Sequence, residues 1–376
     1  MKIESFQNIF ELVRPSFTSD LLDEDSIEIM GDICACFPMD FATFWGIECR
    51  IGEMAPRGDI LFEIKRGAPG HFLLAGESRN LLDTLCEKAC IWSKLRGFAH
   101  NWLDKEILWA NYIRNMWFEF DSASLNKGSG IDKLLKAPSL FWGPNPKMPI
   151  PYHGWTSLIE EISHFHETII EAKLIYDFVE VLPESAHLFQ LGMMISRSQP
   201  VVRLCINRIS PEKIPDCLDR IGWQGNLTAL RRYLNTFAPF FKNMAVDLDL
   251  TPDGLREKLG LECYLDTWGD YTSEPWKPCL DFLVELGLCL PCKRDALLAY
   301  PRRTRMSQKK DIREKGISYP VLYQDIHHIK LTFTSGDVQE AKAYIGVHRP
   351  GINYNNIWTN SPNDHIGSPP DSWLIT

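Results

Sequence analysis

The residue types that do chemistry recur in this chain at a spacing of two. Lys342-x-Tyr344 and His328-x-Lys330-x-Thr332 stand in neighbouring segments near the end of the sequence. Glu262-x-Tyr264, Asp247-x-Asp249 and Glu48-x-Arg50 repeat the pattern, and Arg203 and Lys65 sit in similar alternating surroundings. Lysine and arginine hold an anion as its charge develops, a tyrosine hydroxyl adds a hydrogen bond, and a carboxylate takes up a proton. Two is the side-chain period of a β-strand, so the members of each pair look the same way. Glu63, Glu119 and Asp121 belong to the same alternation. That many acids would repel an anionic ligand unless they are paired or bridged by a divalent cation. They could instead hold a cationic ligand such as an amine or a guanidine.

Three further motifs carry less. Cys289-Leu-Pro-Cys292 is a CxxC without the second pair that a structural zinc site wants, and without a βαβ redox setting, so it reads as a helix-to-helix turn holding two thiols. Glu160, His164, His166 and Glu167 form an ExxxHxHE pattern on a predicted helix, half of a carboxylate-bridged metal site with no matching partner helix; it reads as a polar helix face. The basic run around Lys309-Lys310 (302–316) reads as a solvated loop, or as a loop at a cavity mouth that guides anions. Walker, GxSxG, HExxH, GxGxxG and DDxxD patterns are missing.

The elements that position these residues come in blocks. Ten alternating segments read as strands: 44–52, 58–67, 115–122, 139–143, 187–196, 201–209, 244–250, 258–266, 327–336 and 340–348. They fall into five pairs, most close enough to be antiparallel hairpins. Helical spacing marks 79–104, 156–182, 211–242 and 276–299 between them. The apolar stripe of each strand, such as Val246, Leu248 and Leu250, must meet the helices, which leaves the polar stripe on the opposite face. An open sheet would turn that face to water; ten strands closed into a barrel would turn it into a lumen wider than its side chains fill. Periodicity alone admits both.

Length and composition are those of a globular protein: 376 residues, 45% hydrophobic, 24% charged. A net charge of -9 argues against a broad basic nucleic-acid face. No apolar run is long enough for a membrane span, and the first residues, MKIESFQNIFELV, do not read as a secretory signal. Eleven cysteines, several within apolar runs, predict reduced thiols and a cytoplasmic protein. Twelve tryptophans fit either a large aromatic core or an aromatic-lined cavity.

The order helix–helix–strand–strand, repeated with polar strand faces, resembles the aromatic prenyltransferase barrel (ABBA or PT-barrel fold), nearest to the indole prenyltransferases of the dimethylallyltryptophan synthase type. HHIKLTFTSG followed by AKAYIGV is similar to that family's closing strands with their Lys-x-Tyr, here Lys342 and Tyr344. Glu48 in WGIECR is similar to its early strand, where a glutamate accepts the indole N–H proton. The resemblance implies an α+β fold: a ten-stranded antiparallel β-barrel ringed by helices, occupying 1–348 as one domain, with 349–376 as an irregular tail. It implies a transferase of secondary metabolism that moves a prenyl group from an allylic diphosphate, dimethylallyl or geranyl, to an indole-like small molecule or a peptide. Lys65, Arg203, Lys330, Lys342, Tyr264 and Tyr344 would then face the diphosphate and Glu48 would be the base. No cofactor is required on this resemblance, and Mg²⁺ stays open. The clear Lys-x-Tyr occurs only once. That leaves two alternatives: a non-catalytic peptide- or lipid-binding barrel, and a metal-dependent enzyme built on the carboxylates.

Overall fold

Each alternating segment becomes a strand because one face is apolar and the other polar, and the strands pair in chain order. Together with one short polar strand, β9 (Arg302–Arg305), they are β1 (Phe44–Arg50), β2 (Gly58–Lys65), β3 (Ile113–Phe120), β4 (Ser139–Pro144), β5 (His187–Met193), β6 (Val202–Ile209), β7 (Asn243–Thr251), β8 (Gly254–Tyr264), β10 (Val321–Thr334) and β11 (Asp337–His348). This computed structural model describes residues 5–348, apart from 43, 77–80, 123–134, 136–137, 166–170, 196–200, 242, 266–271 and 306–320. The tail from 349, with His166, Glu167, Lys309 and Lys310, lies outside the described residues.

Consecutive strands from β1 to β8 pair antiparallel; β8 pairs with β10, β10 with β11, and β11 returns to β1. Ten strands thus close on themselves. The closing seam sets Glu48 opposite Tyr344 and Arg50 opposite Lys342. The β10–β11 hairpin turns on Ser335 and Gly336, both at positive φ (54° and 79°), the backbone that a two-residue hairpin loop requires. Sequence alternation misses β9, a short strand of polar residues that borrows its pairing from Val321–Gln324 of β10. It also starts β10 six residues late.

Helices ring the barrel and precede each hairpin. Phe6–Val13 and Glu24–Ala35 come before β1, and the later pairs include Ile214–Arg220 with Leu227–Phe237 and Lys277–Glu285 with Pro291–Ala299. The first two are absent from the sequence reading. Asp23 caps Glu24–Ala35 by accepting from the Ser26 amide at 2.8 Å, and Asn226 caps Leu227–Phe237 through the Ala229 amide at 2.9 Å. Between barrel and helices lies the main hydrophobic core. There Phe6 meets Trp45 at 5.8 Å edge-on, Trp92 stacks on Phe118 at 5.9 Å, and Phe98 meets Trp142 at 5.9 Å. Buried rings of this size contribute on the order of 2–3 kcal/mol each. Most of the described tryptophans are spent here, whereas Trp117 lines the lumen. No helix among the described residues is long and apolar enough to cross a membrane.

Candidate active site in the barrel lumen

The polar stripes face inward and divide the lumen into two chambers. The first has aromatic walls: Phe44, Trp117, Phe141, Phe189, Tyr264, His328 and Tyr344 surround about 950 Å³ of empty space that opens to solvent. The second, about 530 Å³, is walled by charge: Glu48, Arg50, Asp59, Asp121, Asp249, Lys258 and Lys342. Glu119, Arg203, Asp247 and Lys330 line both and so mark their boundary. Gly260 keeps that boundary open at one point, since a Cβ there would sit 3.0 Å from both Asp247 Cβ and Lys330 Cε.

Cross-strand register explains the pairing of charges. Arg203 of β6 stands opposite Asp249 of β7 and grips it with two bonds, Nε to Oδ1 at 2.8 Å and Nη2 to Oδ2 at 3.2 Å. Arg50 reaches Asp59 at 2.9 Å. Lys330 donates to Asp247 and lies 3.6 Å from Glu262. Burial alone would pull the Lys330 ammonium down; Asp247 and Glu262 outweigh it and hold it above its ordinary value. Lys342 donates to Glu48 Oε1 at 2.8 Å, and the Tyr344 hydroxyl donates to Oε2. Tyr264 donates to Glu262 at 2.5 Å. Burial would raise the Glu48 carboxyl, but Lys342 and Tyr344 bring it down to about 2. His328 stacks on Tyr344 with centroids 4.1 Å apart; burial and then Lys330 push its pKa down to about 3, so the imidazole is neutral.

Of the residues singled out from sequence, Glu48, Arg203, Lys330, Lys342, Tyr264 and Tyr344 come together around this boundary. Lys65 does not: it lies 3.7 Å from Glu63 and is not among the described residues that line either chamber. The described lining carries eight carboxylates against six lysines and arginines. Among the described residues no three potential ligands converge on a common point, and Asp247 and Asp249 are already held by Lys330 and Arg203. The donor set therefore does not fit a resident divalent cation.

Compared with protein-family models and with curated proteins, the chain finds no match. The lumen itself therefore carries the functional argument. Sequence reasoning gave no role to Arg114 or Asp59, which also line the chambers. Arg114 stands beside a register shift in β3 that breaks strict alternation. Glu119 was visible as a lumenal acid, but not the fact that it differs from the others. The remaining motifs stay outside the lumen. Glu160 and His164 are exposed on and beside the helix Tyr152–Ser163. Cys289 is buried in the turn before Pro291–Ala299 and Cys292 is exposed in that helix's first turn, both as free thiols.

Proposed function

We propose that the barrel transfers a prenyl group from an allylic diphosphate to an aromatic, indole-like acceptor. One observation carries the reading: an aromatic-walled chamber meets a lysine- and arginine-bearing chamber at a shared boundary inside a closed barrel. Such a lumen suits a donor with an apolar tail and an anionic head. The head lies toward Lys330, Lys342 and Arg203, with the Tyr264 and Tyr344 hydroxyls nearby. The tail and the acceptor lie among Trp117, Phe44 and Phe141. On ionisation the C1–O bond breaks and both electrons leave with the diphosphate. The aromatic faces stabilise the allylic cation by about 0.5–2 kcal/mol each. The acceptor's π electrons form the new bond to C1, and its displaced proton passes to a lumenal carboxylate. Enclosure keeps water from quenching the cation.

The lysines and arginine already hold carboxylates, so the diphosphate enters by exchanging one anionic partner for another. Glu48 and Asp247 must then release Lys342 and Lys330 in part. Incubation with dimethylallyl or geranyl diphosphate and indole tests the reading: diphosphate release matched by prenylated product supports it, and no release defeats it. The excess of carboxylates favours a second reading, a non-catalytic pocket for a cationic peptide or small molecule. In that case the same incubation gives no product, while a cationic indole binds more tightly than a neutral one.

A further inference from the structure

We propose that Glu119, rather than Glu48, is the carboxyl that meets the acceptor and takes its proton. The proposal rests on the prenyl-transfer reading and adds the identity of the base.

Position is the first argument. Glu119 lies on β3 at the boundary and lines both chambers, two residues along the strand from Trp117. It is therefore the carboxyl shared by the aromatic chamber and the charged one, together with Asp247. Availability is the second. Asp247 is committed to Lys330, Glu48 to Lys342 and Tyr344, Glu262 to Tyr264, Asp249 to Arg203, Asp59 to Arg50, and Glu63 to Asn115 at 2.6 Å. Among the described residues no hydrogen bond or ion pair holds the Glu119 carboxyl, and the residue is only half-buried because its open side is the cavity.

Its surroundings set its proton affinity. Facing it are Glu48 from β1, Asp59 and Glu63 from β2, Asp121 just beyond its own strand, and Lys330, Arg203 and Asp247 from across the lumen. The adjacent strand β4 presents Ser139 and Phe141, which bring no charge. Burial raises the Glu119 carboxyl, as do Glu48, Asp121 and Asp59, while Lys330 opposes; the result is about 8. A base of that strength is matched to proton transfer near neutral pH, whereas Glu48 at about 2 is a weak base with both oxygens occupied. Balance is simple. As the new bond to C1 forms, the acceptor loses one proton, the Glu119 carboxylate gains it, and diphosphate leaves with the electron pair of the broken C1–O bond.

The experiment uses dimethylallyl diphosphate and indole with the wild-type chain, E119Q, E119D and E48Q. In wild type, kcat/KM should rise with pH and level off above about 8, as Glu119 ionises. E119Q should lower it ~10²-fold or more and abolish that limb, and E119D should regain part of the loss. Wild-type turnover with the limb intact in E119Q, or a limb lost only in E48Q, overturns the proposal. Calorimetry of indole binding separates the two layers of argument. Indole should bind roughly tenfold more weakly to E119Q at pH 9, and wild-type affinity should increase through pH 8. If wild type transfers nothing, the prenyl-transfer reading and the proton step fall together. The Glu119–acceptor contact is then judged by calorimetry alone, where unchanged affinity in E119Q overturns it.

Discussion

The two chambers of one lumen differ in how far their charges are already paired. In the charged chamber the lysine and arginine partners are already in place: Arg203 with Asp249, Lys330 with Asp247, Lys342 with Glu48, Arg50 with Asp59. In the aromatic chamber buried polar atoms stand without a partner, among them Trp117 Nε1, Asn115 Oδ1 and His328 Nε2. In the charged chamber Arg50 Nη1 and Asp247 Oδ1 are left over too, but a network of paired charges still rigidifies, because removing one member leaves another charge buried alone. An unsatisfied, ring-lined space has polar atoms left over for a ligand to engage. Stability should therefore reside in one chamber and recognition in the other.

The largest effect should come from cutting the network. Lys330→Ala strands Asp247 and Glu262 inside the barrel and should cost about 3–5 kcal/mol in denaturant unfolding. Lys342→Ala should also lower prenyl transfer ~10²-fold or more. Stability within about 0.5 kcal/mol of wild type for both variants would erase the contrast between the chambers.

Acid titration comes next. The Glu48 carboxyl sits at about 2 in the folded barrel against an ordinary value near 4.5, so the unfolded chain binds its proton first as pH falls. Its contribution is present in full above pH ~4.5 and disappears progressively toward pH 2, on the order of 3 kcal/mol in all. Glu48→Gln should flatten the acid limb of stability over that window, and an unchanged limb would remove Glu48 from the network.

Glu119 has the opposite sign. Its raised carboxyl holds a proton in the folded barrel that the unfolded chain has already released, so stability falls as pH climbs from ~4.5 to about 8. E119Q, fixed in an uncharged form, should raise the melting temperature at pH 9 and leave it nearly unchanged at pH 4. The smallest effect belongs to the aromatic wall. Trp117→Phe should change stability by less than about 1 kcal/mol, yet weaken indole binding several-fold. A change in stability larger than the change in binding would mean that Trp117 is wall and nothing more.

The sequence made the strand faces legible because alternation is local: Asp247 and Asp249 point one way whatever lies next to them. It could not choose between a sheet and a barrel, since closure depends on β11 meeting β1 across nearly the whole chain. Pairing was hidden for the same reason. Arg203 faces Asp249 only once the β6–β7 register is set, and Lys330 of β10 reaches Asp247 of β7 across the intervening strand β8. The strand β9 carries no apolar stripe to announce it, and the helix Phe6–Val13 is only eight residues long. Glu119 was readable as an acid in an alternating run; its lack of a partner is a property of the folded lumen.

The seam between the first and last strands has a consequence for biosynthesis. Lys342 and Glu48 are 294 residues apart in sequence, so their clamp cannot exist on a ribosome-bound chain whose β11 has not yet emerged. Until then β1 presents an unpaired edge and its carboxylate meets bulk water. Translation thus withholds the enclosed lumen from the nascent polypeptide until the last strand can meet the first.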